Sequence, residues 1–226
     1  TETPQETTDT PQDTATEPAP EELPSGGTFK AGSTTTTNGI NVFRVGDGET
    51  SSRAQNVMDT GYIREGPEYE NIMPLWFESI SVKQPVNEVE IKLRDNLEYG
   101  DEYGQLTAED YLWNIENLWK PDWSAFTYAP RFYVGSDDEP IQFEKVDKYT
   151  IRETIPDSRP FFPYNEPLSI AAPIPKQVAE PYVKNKDQKG LLQDEEIHKA
   201  TFNGNMGPWD LKKYNEQSVI VFERAE

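Results

Sequence analysis

The chain has 226 residues, with 41 acidic and 21 basic side chains, so its formal net charge is −20 at pH 7. This charge disfavours nucleic acid as a partner, because phosphates are bound by Lys and Arg side chains that displace counterions. With no Cys and a single His, His198, the sequence excludes disulfides, thiolate zinc sites and Cys nucleophiles, and we expect no metal and no cofactor.

The first 25 residues are rich in Thr, Pro and acidic side chains and contain no Lys or Arg. Such a segment buries too little apolar surface to offset its chain entropy, so residues 1–25 are predicted to be a disordered linker. An alternative interpretation is a Thr-rich stalk that carries O-linked sugars. Residues 26–226 are expected to form the folded part of the chain.

Two short elements are predicted at the start of the folded part. Residues 28–32 are expected to form a strand, followed by a loop at 33–41 that is rich in Thr, Asn and Gly. Residues 52–62 are predicted to form a helix, with Val57 and Met58 among the residues on its apolar side.

Residues 74–94 show the alternation of an antiparallel hairpin. Its first strand is predicted at 75–82, and its second places Val89, Ile91 and Leu93 between charged side chains. This period of two is typical of strands with one buried face and one face in water.

A helix is predicted to begin after Thr107. Thr107 has the side chain of an N-cap, and Asp110 lies at the capping-box position as a shorter substitute for Glu. Apolar residues then follow at spacings of three and four, and Pro121 is expected to end the helix. The apolar stripe consists of Tyr111, Leu112, Ile115, Leu118 and Trp119.

The rest of the chain alternates between irregular segments and short regular elements, because Pro and Gly interrupt its apolar runs. No apolar run reaches the roughly 18 residues of a membrane-spanning helix. The predicted order is an irregular segment at 122–143, a strand at 145–155, an aromatic turn at 159–164, a buried segment at 168–174, a helix starting at Pro175, a loop at 203–209 and a strand at 218–224.

No catalytic motif is visible in the sequence. It lacks a Gly-x-Ser-x-Gly elbow and a His-Glu-x-x-His motif, and no spacing singles out two acids as a glycosidase pair, so we expect that the protein is not an enzyme. A group of aromatic residues favours either a packed core or the wall of a ligand cleft, and both interpretations stay open here. The group consists of Trp113, Trp119, Trp123, Tyr128, Phe132 and Tyr133.

Four segments, taken in order, resemble one known family. They are 26–32 (GGTFKAG), 89–95 (VEIKLRD) with 106–111 (LTAEDY), 146–151 (VDKYTI) with 174–176 (IPK), and 203–209 (NGNMGPW) with 219–224 (VIVFER). Together they are similar to the family 5 extracellular solute-binding proteins of ABC importers, the oligopeptide- and dipeptide-binding type. The acidic chain with its Thr/Glu/Pro leader resembles a haloarchaeal, halophilic member of that family.

The resemblance implies a mixed α/β (α+β) fold of the periplasmic-binding-protein-like type II class. The chain would form lobe I, with an inserted β-rich subdomain at 46–143, and the second lobe would be absent. The implied function is the extracellular substrate-binding component of an ABC importer, which binds peptide or a similar small solute by lobe closure. The chain is then expected to be an N-terminal fragment.

The resemblance also implies which residues bind the ligand. They are Gly48, Glu49 and Thr50 in a loop that lines the cleft, Trp123 and Tyr128 after the capped helix, and Ser169, Ile170 and Ala171 before the Ile-Pro-Lys turn. The implied partners are the solute and the importer permease. The implied location is the cell surface, with a lipid anchor on a Cys that precedes Thr1.

An alternative interpretation is a cell-surface structural or assembly subunit of the filament type, built on the lobe I fold. In that case the open strand edges at 28–32 or 218–224, or the N-terminal tail, are expected to pair with another copy of the chain and form a homo-oligomer.

Overall fold

The structure is a computed structural model that describes residues 28–32, 56–65, 71–83, 85, 87–100, 103–126, 128–134, 139–156, 168, 173–215 and 219–224. Contacts between Cα atoms divide the chain into two compact units, residues 1–34 and residues 35–226. Three predicted segments lie outside the described residues: the linker at 1–25, the loop at 33–41 and the aromatic turn at 159–164.

The described part of the first unit, residues 28–32, is not a strand. It has no regular secondary structure, and the Phe29 side chain is 92% exposed. The predicted strand is therefore wrong. A strand needs partners for its N–H and C=O groups, and none of the described strands pairs with this segment.

The described part of the second unit has a mixed α/β architecture, as the resemblance implied. Its strands are β1 (Tyr62–Glu65), β2 (Asn71–Pro74), β3 (Phe77–Lys83), β4 (Glu88–Leu93), β5 (Tyr133–Val134), β6 (Glu139–Pro140), β7 (Gln142–Lys145), β8 (Thr150–Thr154), β9 (Trp209–Asn215) and β10 (Val219–Arg224). Its α-helices are α1 (Ala108–Asn114), α2 (Lys176–Asn185), α3 (Gln188–Gln193) and α4 (Glu195–Lys199).

The largest sheet has four strands in the order β3-β4-β8-β7, all antiparallel. The predicted hairpin at 74–94 is confirmed as β3 and β4. Val89, Ile91 and Leu93 are wholly buried on one face of β4. On the other face, Arg152 of β8 forms ion pairs with its cross-strand neighbours Glu90 and Glu144. One face is therefore largely apolar, with the buried Glu153 of β8 opposite Val89, and the other carries paired charges.

The strand predicted at 145–155 is confirmed only over Thr150–Thr154, because the chain turns back on itself before Thr150. Strand β7 ends at Lys145, and β8 starts at Thr150 and pairs with β7. Asp147 makes the turn: its Oδ1 accepts a hydrogen bond from the Tyr149 backbone N–H (2.8 Å), and its Oδ2 accepts one from the Thr150 hydroxyl (2.9 Å). An Asp side chain that bonds the backbone two residues ahead stabilises a turn.

The helix predicted at 52–62 is only partly confirmed, because Asn56 and Val57 are helical but strand β1 starts at Tyr62. The backbone leaves the helix early because the Asp59 N–H donates to the Met206 carbonyl (2.9 Å). Val57 and Met58 are buried, as expected.

The capped helix is confirmed. Oδ2 of Asp110 accepts hydrogen bonds from the Thr107 backbone N–H and hydroxyl, both at 2.8 Å. Helix α1 continues beyond Asn114 as one π-helical turn, Ile115–Trp119, and Pro121 lies just past its end. The buried members of the predicted stripe are Tyr111, Ile115, Leu118 and Trp119.

The C-terminal part contains α2, α3 and α4, followed by the antiparallel hairpin of β9 and β10. The helix starting after Pro175 and the final strand are confirmed. In this part α3, α4 and β9 were not predicted. Earlier in the chain β1 and β2 were not predicted either, and β5 and β6 lie in the segment 122–143 that was predicted to be irregular. None of the helices in the described segments has both the length and the apolarity needed to cross a membrane.

Candidate functional site

The structure describes two of the eight candidate ligand-binding residues, Trp123 and Tyr128. Both are half-buried and pack against the hydrophobic core. The other six, which lie outside the described residues, are Gly48, Glu49, Thr50, Ser169, Ile170 and Ala171.

An aromatic cluster lies between helix α1 and the strands that follow it. Trp119 is at its centre, with ring centroids 5.8 Å from Tyr111, 5.9 Å from Phe126 and 5.9 Å from Phe132. Trp119 and Phe132 are wholly buried, so for these two residues the core-packing interpretation holds. Trp123 and Tyr128 are only half-buried, and for them both interpretations stay open.

Trp123 lies in a tightly bonded turn. It belongs to the 3₁₀ turn Asp122–Ser124, and its carbonyl accepts a hydrogen bond from Nε2 of Gln188 in α3 (2.9 Å). The Ser124 hydroxyl donates to the carbonyls of Leu118 and Pro121. These bonds join the end of the π-helical turn to α3 and fix the backbone from which the Trp123 ring projects.

Tyr128 is held on two sides. The edge of its ring contacts Phe126, with centroids 5.9 Å apart, and the Arg131 guanidinium lies 5.2 Å from its ring centroid. The Arg131 backbone N–H also donates to the Tyr128 carbonyl (2.9 Å). A ring fixed in this way offers a contact surface with little rotamer freedom left to lose.

Two residues that the sequence analysis missed fix the chain next to the candidate segment 169–171. Nδ2 of Asn114 donates to the Ile174 carbonyl (2.9 Å), and the Ile174 N–H donates to Oδ1 of Asn114 (3.0 Å). The Tyr99 hydroxyl donates to the Pro173 carbonyl (3.3 Å). The only sequence signal for Asn114 is an amide between the apolar positions of the α1 stripe.

The loop at 203–209 is confirmed and connects distant parts of the second unit. The Met206 carbonyl accepts from the indole N–H of Trp76 (2.9 Å) in addition to the Asp59 N–H. Asn205 accepts from the Glu98 N–H (2.8 Å) and donates to the Asn96 carbonyl (2.7 Å). The loop therefore anchors the β9–β10 hairpin to the segment before β1 and to the segment after β4.

Three of the side chains in the described segments that surround the site have raised pKa values. Burial raises the pKa of the Asp59 carboxyl and that of the Asp110 carboxyl, although hydrogen bonds with Thr107 partly lower the latter. A hydrogen bond to Asp194 raises the pKa of Tyr182 to about 12. No group of three or more His, Asp and Glu side chains within the described segments is arranged to hold a metal ion.

The sequence profile of the bacterial extracellular solute-binding proteins, family 5 (middle region), matches residues 71–226. The chain belongs to this family. The match covers all ten strands except β1, all four helices, and both Trp123 and Tyr128. No protein of curated function matches the sequence significantly.

Solved structures show the same fold. AppA from Clostridium difficile is 24% identical, with a TM-score of 0.62, over 82% of this chain and 33% of that chain. The oligopeptide-binding protein AppA from Bacillus subtilis, solved with a nonapeptide, is 17% identical, with a TM-score of 0.63, over 85% of this chain and 35% of that chain. A periplasmic oligopeptide-binding protein from Thermotoga maritima, solved with mannohexaose, is 21% identical, with a TM-score of 0.57, over 84% of this chain and 31% of that chain.

These likenesses establish the fold of the family 5 solute-binding proteins for this chain. The chain spans about a third of the length of the solved proteins it matches.

Proposed function

We propose that the chain forms part of the extracellular substrate-binding component of an ABC importer, and that it binds a peptide or a similar small solute by lobe closure. The observation that carries this proposal is the family match over residues 71–226. The mixed α/β fold shared with the oligopeptide-binding AppA supports it. In this function the protein performs no chemistry, and the solute is sequestered between two lobes.

The proposed binding residues are those of the sequence analysis: Gly48, Glu49, Thr50, Trp123, Tyr128, Ser169, Ile170 and Ala171. Trp123 and Tyr128 support the proposal best, because each is half-buried and each stands on backbone fixed by hydrogen bonds. Aromatic side chains on rigid backbone are typical of pockets that bind solutes.

The proposed ligand class is peptide, with other small solutes as close alternatives. AppA from Bacillus subtilis was solved with a nonapeptide, and the Thermotoga maritima protein with mannohexaose. The proposed partner in the membrane is the importer permease. The proposed location is the outer cell surface of a halophile, with a lipid anchor on a Cys before Thr1.

The domain limits also remain a proposal, with a linker at 1–25 and an inserted subdomain at 46–143 within 26–226. The assembly-subunit alternative is not favoured, because the matching family and the similar structures are solute-binding proteins.

The test is titration calorimetry of the protein in molar KCl with three probes: a random tetrapeptide library, a random nonapeptide library and mannohexaose. We expect saturable binding of at least one peptide library. Trp123→Ala should weaken binding about tenfold or more, since losing a large buried aromatic contact costs at least that much.

Trp209→Ala is the matched control, because Trp209 lies in β9 and its side chain is 41% exposed. We expect it to leave the affinity unchanged. Absence of saturable heat with all three probes would contradict the proposed function. An equal loss in both variants would remove Trp123 from the site.

A further inference from the structure

Lys120 is a half-buried cation that has no carboxylate partner in the described part of the chain. Of the lysines that the structure describes, Lys120 and Lys199 alone are half-buried. Lys199 forms an ion pair with Glu195, one turn before it in α4. No Asp or Glu side chain in the described segments forms such a pair with Lys120. Because moving a charge out of water without a counter-charge costs free energy, the unpaired burial of Lys120 requires an explanation.

The groups around the Lys120 ammonium are one carbonyl and two aromatic rings. Its Nζ donates a hydrogen bond to the Ile141 carbonyl (2.9 Å). The same atom lies 5.9 Å from the ring centroid of Tyr133 and 5.8 Å from that of Phe143. We call these four residues the Lys120 site. An ammonium has three N–H donors, and the described residues accept one of them, so two are left for a ligand.

Backbone hydrogen bonds and ring packing hold the parts of this site in place. The Lys120 backbone N–H donates to the Ile115 carbonyl (3.1 Å) and closes the π-helical turn at the end of α1. Turns of this kind are frequent at functional sites. Ile141 is wholly buried, and its N–H donates to the Phe132 carbonyl (2.9 Å). The Phe143 ring packs on Phe132, with centroids 5.8 Å apart.

The charge of Lys120 is only partly compensated by these neighbours. Burial lowers the pKa of Lys120, and the charge of Glu116 opposes this effect without forming an ion pair. Aromatic rings attract a cation, but such contacts are weak where water still reaches the charged group. A bound anion would complete the compensation, because a charge-assisted hydrogen bond supplies the missing counter-charge.

Two features favour an organic carboxylate as that anion. The net charge of −20 repels added negative charge, so a monovalent carboxylate is penalised less than a phosphate dianion. The rings of Tyr133 and Phe143 beside the ammonium offer apolar surface to the carbon atoms that a carboxylate carries. Inorganic phosphate and sulfate have no such atoms.

We propose that the Lys120 site binds the carboxylate of an organic anion: the free N–H donors of Lys120 bond the carboxylate oxygens, and the rings of Tyr133 and Phe143 contact the adjoining carbon chain. The carboxylate belongs either to a small free acid or to a peptide. This binding goes beyond the proposed solute capture, because it requires neither lobe closure nor any of the eight residues named for the solute.

The test measures how far added compounds protect each lysine from acetylation by acetic anhydride, read by mass spectrometry of peptides in molar KCl. The probes are N-acetylphenylalanine, the peptide triglycylphenylalanine, the C-terminal amides of both, inorganic phosphate and additional KCl. Lys199 is the matched control within the same protein, because it is also half-buried but already paired with Glu195.

We expect the two acids to slow acetylation of Lys120 by about tenfold at saturation, because a bound carboxylate stabilises the protonated, unreactive form of the amine. Acetylation of Lys199 should slow by less than about twofold, and the amides should protect neither lysine. The Kd of N-acetylphenylalanine, measured by NMR titration, should rise about tenfold or more in Lys120→Met, which keeps an apolar stem. It should be unchanged in Lys199→Met, and it should rise by about threefold in Phe143→Leu.

Absence of protection at Lys120, or equal protection of Lys120 and Lys199, would overturn the inference. So would equal protection by acids and amides, equal protection by phosphate or additional KCl, or an unchanged Kd in Lys120→Met. Protection by both acids, or by one of them alone, supports the inference and shows whether the carboxylate comes from a free acid or a peptide. Solute capture is read separately from the peptide-library titrations of Trp123→Ala, so either proposal can fail without the other.

Discussion

The four-stranded sheet and the β9–β10 hairpin are both antiparallel, but they are stabilised in different ways. In the sheet, β4 is covered by a neighbour on each side and buries Val89 completely. In the hairpin, Val219 and Val221 of β10 remain 42% and 38% exposed. A two-stranded hairpin is marginal by itself. The comparison indicates that the sheet is stabilised by its own core, whereas the hairpin depends on how it is anchored.

The anchor of the hairpin is the loop at 203–209, and Gly204 is its most constrained position. Its φ is +59°, and a Cβ there would overlap the backbone of Glu98, Tyr99 and Gly100. We expect Gly204→Ala to lower the free energy of unfolding by about 3–5 kcal/mol, because backbone strain and backbone overlap add together. Urea denaturation in molar KCl measures this change.

The variant Gly104→Ala separates backbone strain from backbone overlap, the two causes of the loss expected for Gly204→Ala. Gly104 also has a positive φ of +77°, but a Cβ there would meet nothing within 4 Å. Gly104→Ala should therefore lower the free energy of unfolding only through backbone strain, by about 1 kcal/mol. Equal losses in the two variants would show that the loop does not pack tightly against residues 98–100.

Two matched Val→Ala substitutions compare how much packing stabilises the sheet and the hairpin. Val89→Ala removes two methyl groups from a fully packed position and should lower the free energy of unfolding by about 2–3 kcal/mol. Val221→Ala removes the same groups from a partly exposed position and should cost less than about 1 kcal/mol. Denaturation of both variants checks the difference, and a larger loss for Val221→Ala would reverse the comparison.

The same contrast explains what could be predicted from sequence. Strand β4 alternates strictly because one of its faces is buried, although β3 has a register shift between Phe77 and Ser79, and α1 has both a cap and an apolar stripe. Strand β9 has neither signal: its sequence WDLKKYN carries exposed Lys212 and Lys213, and its pairing with β10 contains a bulge. Helices α3 and α4 are too short for a periodic pattern.

The candidate site was harder to predict than the fold. The half-buried Trp123 and Tyr128 could be proposed as site residues because large aromatic residues are visible in any sequence. The bonds from Asn114 and Tyr99 to 173–174 join residues 60 and 74 positions apart in the chain. Local pattern carries no information about pairs of this separation, and only the folded chain shows them.

Alkaline pH should break the side-chain hydrogen bond that joins helix α2 to the N-cap of helix α4. The Tyr182 hydroxyl donates to Oδ2 of Asp194 (2.6 Å), which raises the pKa of Tyr182 to about 12. A raised pKa means that the folded state keeps this proton longer than the unfolded state does, where Tyr titrates near ~10. The stabilisation is therefore complete below about pH 10 and is lost between about pH 10 and 12.

Ultraviolet absorbance of tyrosinate and the melting temperature across that range check this prediction. Tyr182→Phe should lose stability at neutral pH and should remove the step near pH 12 that Tyr182 contributes to the tyrosinate titration. If the unaltered protein and Tyr182→Phe titrate identically, the bond to Asp194 does not persist in solution.

The smallest expected effect is electrostatic. It compares the ion pairs of Arg152 in the sheet with those of Lys212 in the hairpin. Arg152 pairs with Glu144 and Glu90 (3.2 Å) and lies 3.7 Å from Glu88, whereas the two ion pairs of Lys212 in the hairpin are 3.5 Å to Asp210 and 3.8 Å to Glu223. We expect Arg152→Met to lower the melting temperature more than Lys212→Met at low salt. The difference should shrink in molar KCl, because salt screens exposed charges. Measuring both melting temperatures across a KCl series tests this prediction. Because Met keeps an apolar stem of similar length, a deficit for Arg152→Met that persists in molar KCl would mean that the guanidinium acts through its hydrogen bonds with Glu144 and Glu90 and not through screened charge.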